Sequence, residues 1–252
     1  MNNSLKRTWA EIDLDAAAHN YLAIRKSLHP HTKICCVVKA DAYGHGAEQL
    51  AHLYERLGAQ WLAVSNLEEA IQIRACGVGI PILILGYTPP AEAKMLAKLN
   101  IAQAILSKKY AEQLNREAAS AGVSVHAHIK LDTGMSRIGF LYQEPERDSR
   151  SLQEIQNVCA LKNLIPEGIF THFAVADEGT DGEAFTRRQY QNFTGAIEKL
   201  DKGIILYGML PSGKMRSDLD LQRVMRLKSV VSLVKTLPAG TSLSYGCTYQ
   251  TT

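Results

Sequence analysis

At 252 residues the chain is long enough for one large core or two modest ones, and 46% hydrophobic with 21% charged residues is the composition of a folded globular protein. A formal charge of +3, from 28 basic and 25 acidic residues, is too balanced for a nucleic-acid footprint. Five cysteines with no C-x-x-C spacing argue against a disulfide framework and a zinc site; Cys35, Cys36 and Cys159 read as small buried hydrophobes.

The N-terminus, MNNSLKR, lacks the apolar core of a signal peptide, and no apolar run approaches the roughly 20 residues of a membrane span. The expectation is a cytoplasmic chain with no membrane partner. A short opening strand is predicted over 8–14. Apolar runs predicting strands then follow at 33–40, 61–65, 81–86, 102–107, 125–132, 166–173 and 204–208. Amphipathic helices are predicted at 16–28, 47–57, 67–76, 91–99, 109–121, 152–161 and 183–200. In the third of these Ser65 or Asn66 can cap the start, Glu68 and Glu69 suit the first turn, and Gly77 can end it. Strands alternating with helices predict a parallel sheet, and six or seven such units favour a (β/α)8-type barrel over an open dinucleotide-binding sheet. No G-x-G-x-x-G follows the first strand. The basic patch Lys214, Arg216, Arg223, Arg226 and Lys228 reads as solvated surface. Past 212 the pattern changes: an apolar run at 227–234, a turn at 238–240 and alternation at 242–249 predict the opening of an all-β domain. The predicted organisation is thus 1–14 as an N-terminal strand, 15–222 as the barrel and 223–252 as the start of the β-domain.

Lys39 closes the apolar run Ile34-Cys35-Cys36-Val37-Val38 and precedes Ala40-Asp41-Ala42-Tyr43-Gly44-His45-Gly46. A lysine ending a buried strand either reaches solvent as a surface cap or is neutralised, because desolvation disfavours the charged form. The neutral amine is a nucleophile that can form a Schiff base with a carbonyl, and pyridoxal 5'-phosphate (PLP) is the commonest biological partner of that kind. Barrel enzymes place their chemistry at the C-terminal ends of strands. Lys39, Tyr43, Leu85, the stretch 130–137 and His172 all fall there.

The segment VVKADAYGHG closely resembles the cofactor-lysine signature of the alanine racemase family, PLP enzymes with a barrel and a second β-domain. HIKLDTGMSRIG at 128–139 is a second match, and THFAVAD at 171–177 and SYG at 244–246 are two more. The resemblance implies that Lys39 holds PLP and that Arg137 contacts the cofactor's phenolic oxygen and the substrate. It also implies that Lys130 is carbamylated in some members to steady that arginine, and that His172 tunes a catalytic tyrosine. That tyrosine, Tyr245, is the second base and comes from the partner subunit of a homodimer. Racemisation needs groups on both faces of Cα, and Lys39 with Tyr245 supplies them. Without the flanking motifs, Tyr245 reads as strand packing and His172 as a structural histidine.

The chain departs from the family pattern twice. Before 204–208 the family carries a strand with an Asn-Ser pair for the PLP phosphate and an arginine at the pyridine nitrogen; here Asp201 occupies that arginine's place and no such pair precedes it. Gly203 and Ile204 still match backbone positions near the phosphate. The absent strand leads to the expectation of a barrel lacking one strand, and most of the family's β-domain is wanting as well. The reading is a PLP-dependent racemase interconverting L- and D-alanine, supplying peptidoglycan synthesis, with no metal. A serine racemase of the same family and a catalytically impaired PLP-binding remnant are the alternatives.

Overall fold

The computed structural model describes residues 10–201, with the short strands 229–231, 242–243 and 249–250 beyond them. Helix α1 (Leu14–Ser27) leads into β1 (Ile34–Val37), the turn α2 (Lys39–Gly44) and α3 (Ala47–Arg56). Then come β2 (Trp61–Val64), α4 (Leu67–Ala75), β3 (Ile82–Ile84), a 3-10 turn (Pro90–Glu92), α5 (Ala93–Lys98), β4 (Ile101–Ile105) and α6 (Lys108–Ser120). The long strand β5 (Val125–Asp132) is followed by β6 (Phe140–Leu141), α7 (Arg150–Cys159), β7 (Leu164–Phe170) and α8 (Thr180–Asp201). The remaining strands are β8 (Ser229–Val231), β9 (Ser242–Leu243) and β10 (Tyr249–Gln250).

Strands run in the order β6-β5-β4-β3-β2-β1-β8, all parallel, with β7 also on β5. Both partners fit on one side of β5 because β7 pairs with Val125–Lys130 and β6 only with Leu131 and Asp132. The sheet is curled like part of a barrel, and side chains alternate between its two faces. Ile34, Cys36, Leu62, Val64, Ile82, Ile84, Ile101 and Ile105 pack outward against the helices. Cys35, Trp61, Ala63, Leu83, Ala102, Ala104 and Phe170 form the smaller inner cluster. On β5 the inner positions are His126, His128, Lys130 and Asp132, and Glu167 of β7 pairs with both histidines, so the barrel interior is polar where these two strands meet.

Local signals set the helix ends. Asp13 caps α1 by accepting from the Ala16 amide at 2.9 Å, and Ser107 caps α6 from the Tyr110 amide at 3.2 Å. Asn66, rather than Ser65, caps α4 from the Glu69 amide at 2.9 Å, and Gly77, with φ +89°, follows its end. The opening strand predicted over 8–14 is not found in its described part: residues 10–13 form no strand, and Leu14 is already helical. The alternation there is β-like, but the Asp13 cap and Asp15 in the first turn favour a helix. Within the apolar run 227–234, Ser229–Val231 is a strand parallel to β1, Ile34 opposite Ser229. An apolar run satisfies an open sheet edge as well as it begins a new sheet. The alternating stretch 242–249 contributes to two short antiparallel strands, Leu243 opposite Tyr249. The predicted strand 204–208 lies outside the described residues.

Candidate active site

The backbone turns sharply as it leaves β1. Ala40, Asp41, Ala42 and Tyr43 all take left-handed conformations, with φ of 50°, 53°, 50° and 56°. For non-glycine residues this costs roughly 1–2 kcal/mol each, so neighbours must hold it. The Ala42 amide donates to the Val38 carbonyl at 2.9 Å, the Gly46 amide to the Asp41 carbonyl at 3.0 Å, and the Ala47 amide to Asp41 Oδ1 at 2.7 Å. The turn brings Lys39 and Tyr43 to the same cavity, with Lys39 Nζ 5.9 Å from the centre of the tyrosine ring.

That cavity, about 30 Å³, lies at the C-terminal ends of β1, β3 and β7. Val37, Lys39 and Tyr43 line it from the first, Leu85 from the second, and Phe170, Thr171 and His172 from the third. Half-buried His172 is held below the usual imidazole range by burial and then by the positive charges of Arg137, Lys130 and Lys39. Three cations therefore act on one imidazole. The Lys130 ammonium, 2% exposed, lies 5.4 Å from the Phe170 ring and donates to the Leu131 carbonyl at 3.0 Å. Burial first, and the Arg137 charge after it, bring its pKa down to about 8 against an opposing pull from Asp132.

Arg137 does not line the cavity; it stands exposed on the loop between β5 and β6. Asp132 shapes that loop, its Oδ1 accepting from the Gly134 and Ser136 amides at 3.0 Å each. Gly139 is required where the loop returns: its φ is +117°, and a Cβ there would lie 2.6 Å from the Lys130 carbonyl oxygen. The motif D-T-G-M-S-R-I-G thus encodes a fixed excursion that starts and ends against Lys130.

Residues 12–211 match the family model "Alanine racemase, N-terminal domain". The chain belongs to the alanine racemase family. The alanine racemase of Desulfovibrio desulfuricans is 39% identical over 96% of this chain and 71% of its own length. That of Methanococcus maripaludis is 35% identical with the same coverage. Among solved structures, alanine racemase of Clostridium difficile 630 superposes with a TM-score of 0.75 at 36% identity, covering 90% of this chain. Only 56% of that longer chain is covered, so the present chain spans little more than half of it. A Bacillus anthracis alanine racemase with bound L-Ala-P has a TM-score of 0.67 at 27% identity, over 99% of this chain and 71% of that one.

Family membership implies PLP, and the described residues suit it. An amine at the cavity wall can take an aldehyde, and the three positive charges felt by His172 make a field in which a phosphate or phenolate is welcome. No cluster that could hold a metal ion is present among the described residues. None of their helices is long and apolar enough to cross a membrane. Tyr245, Gly203 and Ile204 lie outside the described residues.

Two supports of this alanine racemase family site were not singled out from sequence. Gln189 on α8, fully buried, accepts from the Ala174 amide at 2.9 Å and donates to the His172 carbonyl at 3.1 Å, fixing the histidine's loop from behind. Thr133 and Thr171 share a 2.7 Å hydrogen bond that joins the ends of β5 and β7. A glutamine on the same helix stripe as Phe193, Ala196 and Leu200 is the signal that marks the first; nothing in the threonines' spacing marks the second.

Proposed function

We propose that this chain interconverts L- and D-alanine, with PLP held on Lys39. The observation that carries the reading is the meeting of Lys39, Tyr43, Leu85 and His172 at one cavity in a chain of this family. When bound, PLP supplies a sink for the negative charge left as the Cα proton departs. The residues of the chain do the rest. The Lys39 amine attaches the cofactor and exchanges the proton on one face of Cα. Tyr245, provided by the partner subunit of a homodimer, exchanges it on the other. Arg137, carried on the loop between β5 and β6, would contact the cofactor's phenolic oxygen and the substrate, and His172 would assist the tyrosine; burial, and after it the neighbouring cations, favour the neutral imidazole, the form that can accept a hydrogen bond. Gly203 and Ile204 offer backbone to the phosphate.

Lys130 is proposed to be carbamylated. Its pKa of about 8 leaves a usable fraction of neutral amine near neutral pH, and the carbamate would exchange a buried cation for an anion facing Arg137. The reading places the enzyme in the cytoplasm, feeding D-alanine to peptidoglycan. Substrate choice needs its own test, since one solved relative, at 27% identity and TM-score 0.65, is a histidine racemase of Leuconostoc mesenteroides. The purified chain with PLP should racemise L-alanine at least about ten times faster than L-serine or L-histidine, a discrimination of only ~1.4 kcal/mol. Preference for serine or histidine would refute alanine as substrate, and turnover of none would leave a PLP-binding remnant.

A further inference from the structure

Glu69 sits in the first turn of α4, third after the Asn66 cap. In the common local arrangement a glutamate there folds back to the amide of its own cap residue. Here its carboxylate leaves the helix. Oε1 accepts from the Ala40 amide at 2.8 Å, 29 residues away, and Oε2 from the Ser65 amide at 2.7 Å and Ser65 Oγ at 2.9 Å. Ala40 is peptide-bonded to Lys39 and is the first residue of the left-handed turn. Ser65 follows β2, and its carbonyl oxygen packs so close to Gly86 that a Cβ there would lie 2.5 Å away. Gly86 in turn adjoins Leu85, and its carbonyl accepts from Gln103 Nε2 at 2.7 Å. Hydrogen bonds and one close backbone approach thus link Ala40 after β1, Ser65 after β2, Gly86 after β3 and Gln103 within β4, and Glu69 is the link at which Lys39 joins them.

We infer that Glu69 is a positioning residue for Lys39: its carboxylate clamps the left-handed turn and so sets where the lysine amine stands in the cavity. The inference rests on the reading of Lys39 as the PLP lysine. A helix cap alone does not need it, because Asn66 already caps α4. A carboxylate is required for chemical reasons. It offers acceptors on both sides to N–H and O–H donors, whereas a glutamine of the same shape would turn an NH2 donor toward one of them. An acceptor lost there costs the turn its hold without leaving a cavity.

The test uses the full chain and PLP itself, with Glu69→Gln and, as control, Glu68→Gln on the exposed side of the same turn. Amide hydrogen exchange is followed without cofactor, and PLP attachment is followed by borohydride trapping and mapping to Lys39. In wild type the Ala40 amide should be protected. Glu69→Gln should speed its exchange and slow PLP attachment by about ten-fold or more, the scale of one hydrogen bond to a charged acceptor. Leu62 in β2 should exchange as in wild type, which separates a local loss from general destabilisation. If Leu62 also loses protection, Glu69→Asp, which keeps the charge but withdraws it, is judged by the same criteria. An unprotected Ala40 amide in wild type, or a Glu69→Gln chain matching the control in both readouts, overturns the inference. Failure of the wild-type chain to take PLP at Lys39 refutes the function reading instead, and Ala40 exchange then decides the clamp by itself.

Discussion

Lys130 is the residue whose environment conflicts most with its ordinary charge. Its pKa of about 8 lies below the unfolded value of 10.5, so between these two the unfolded chain binds more protons. The contribution of Lys130 to stability is therefore full above pH ~10.5 and lost as pH falls through ~8. In carbonate-free buffer, wild type minus Lys130→Met should gain on the order of 3 kcal/mol in unfolding free energy between pH 7 and pH 10.5. Chemical denaturation of both proteins measures it, and a flat difference would contradict the buried ammonium. Bicarbonate should flatten that difference if the amine is carbamylated. Asp132 makes a second prediction at this scale. Asp132→Ala removes the acceptor of the Gly134 and Ser136 amides and should release Arg137's loop. Racemisation kcat/KM is expected to fall about 10- to 100-fold for a stability loss of ~1–3 kcal/mol.

Between elements, single long side chains do much of the joining. Arg74 on α4 donates to four carbonyls, those of Val78, Ile80, Leu99 and Asn100, tying its own helix end to the entrances of β3 and β4. Arg74→Ala should lower the unfolding free energy by about 2–4 kcal/mol, and Arg74→Lys should not restore it, because a lysine cannot present the planar fork. Thermal or urea unfolding of the two variants settles the point. The elements themselves were legible because their signals are local. The strands 61–65, 81–86 and 125–132 and the helices between them were placed to within one or two residues by apolar periodicity and by caps such as Asn66 and Gly77. What sequence did not disclose depends on partners distant along the chain. Glu69 looked like a helix-start acid, and the left-handed course of Ala40 to Tyr43 runs against the preferences of Ala40, Ala42 and Tyr43, Asp41 alone being of a type that visits that region readily.

For the whole molecule, the barrel-end position of Lys39 explains why the motifs lie so far apart in sequence yet serve one site. Lys39 and Leu85 come from the first and third strands and His172 from the seventh, while Tyr245 is proposed to come from a second chain. A shared site has a clear consequence. Refolding an equal mixture of Lys39→Ala and Tyr245→Phe should restore roughly a quarter of wild-type racemisation, since half the dimers are mixed and one of their two sites is whole. Two inactive variants that stay inactive when mixed would rule out sites built from two subunits. The central claim is that Lys39 carries both the cofactor and a proton. It is tested most directly by following L-alanine to D-alanine with added PLP for wild type and Lys39→Ala. Turnover is expected in the wild type and a fall of at least ~10³-fold in the variant with the fold retained; equal rates in the two would contradict a catalytic Lys39.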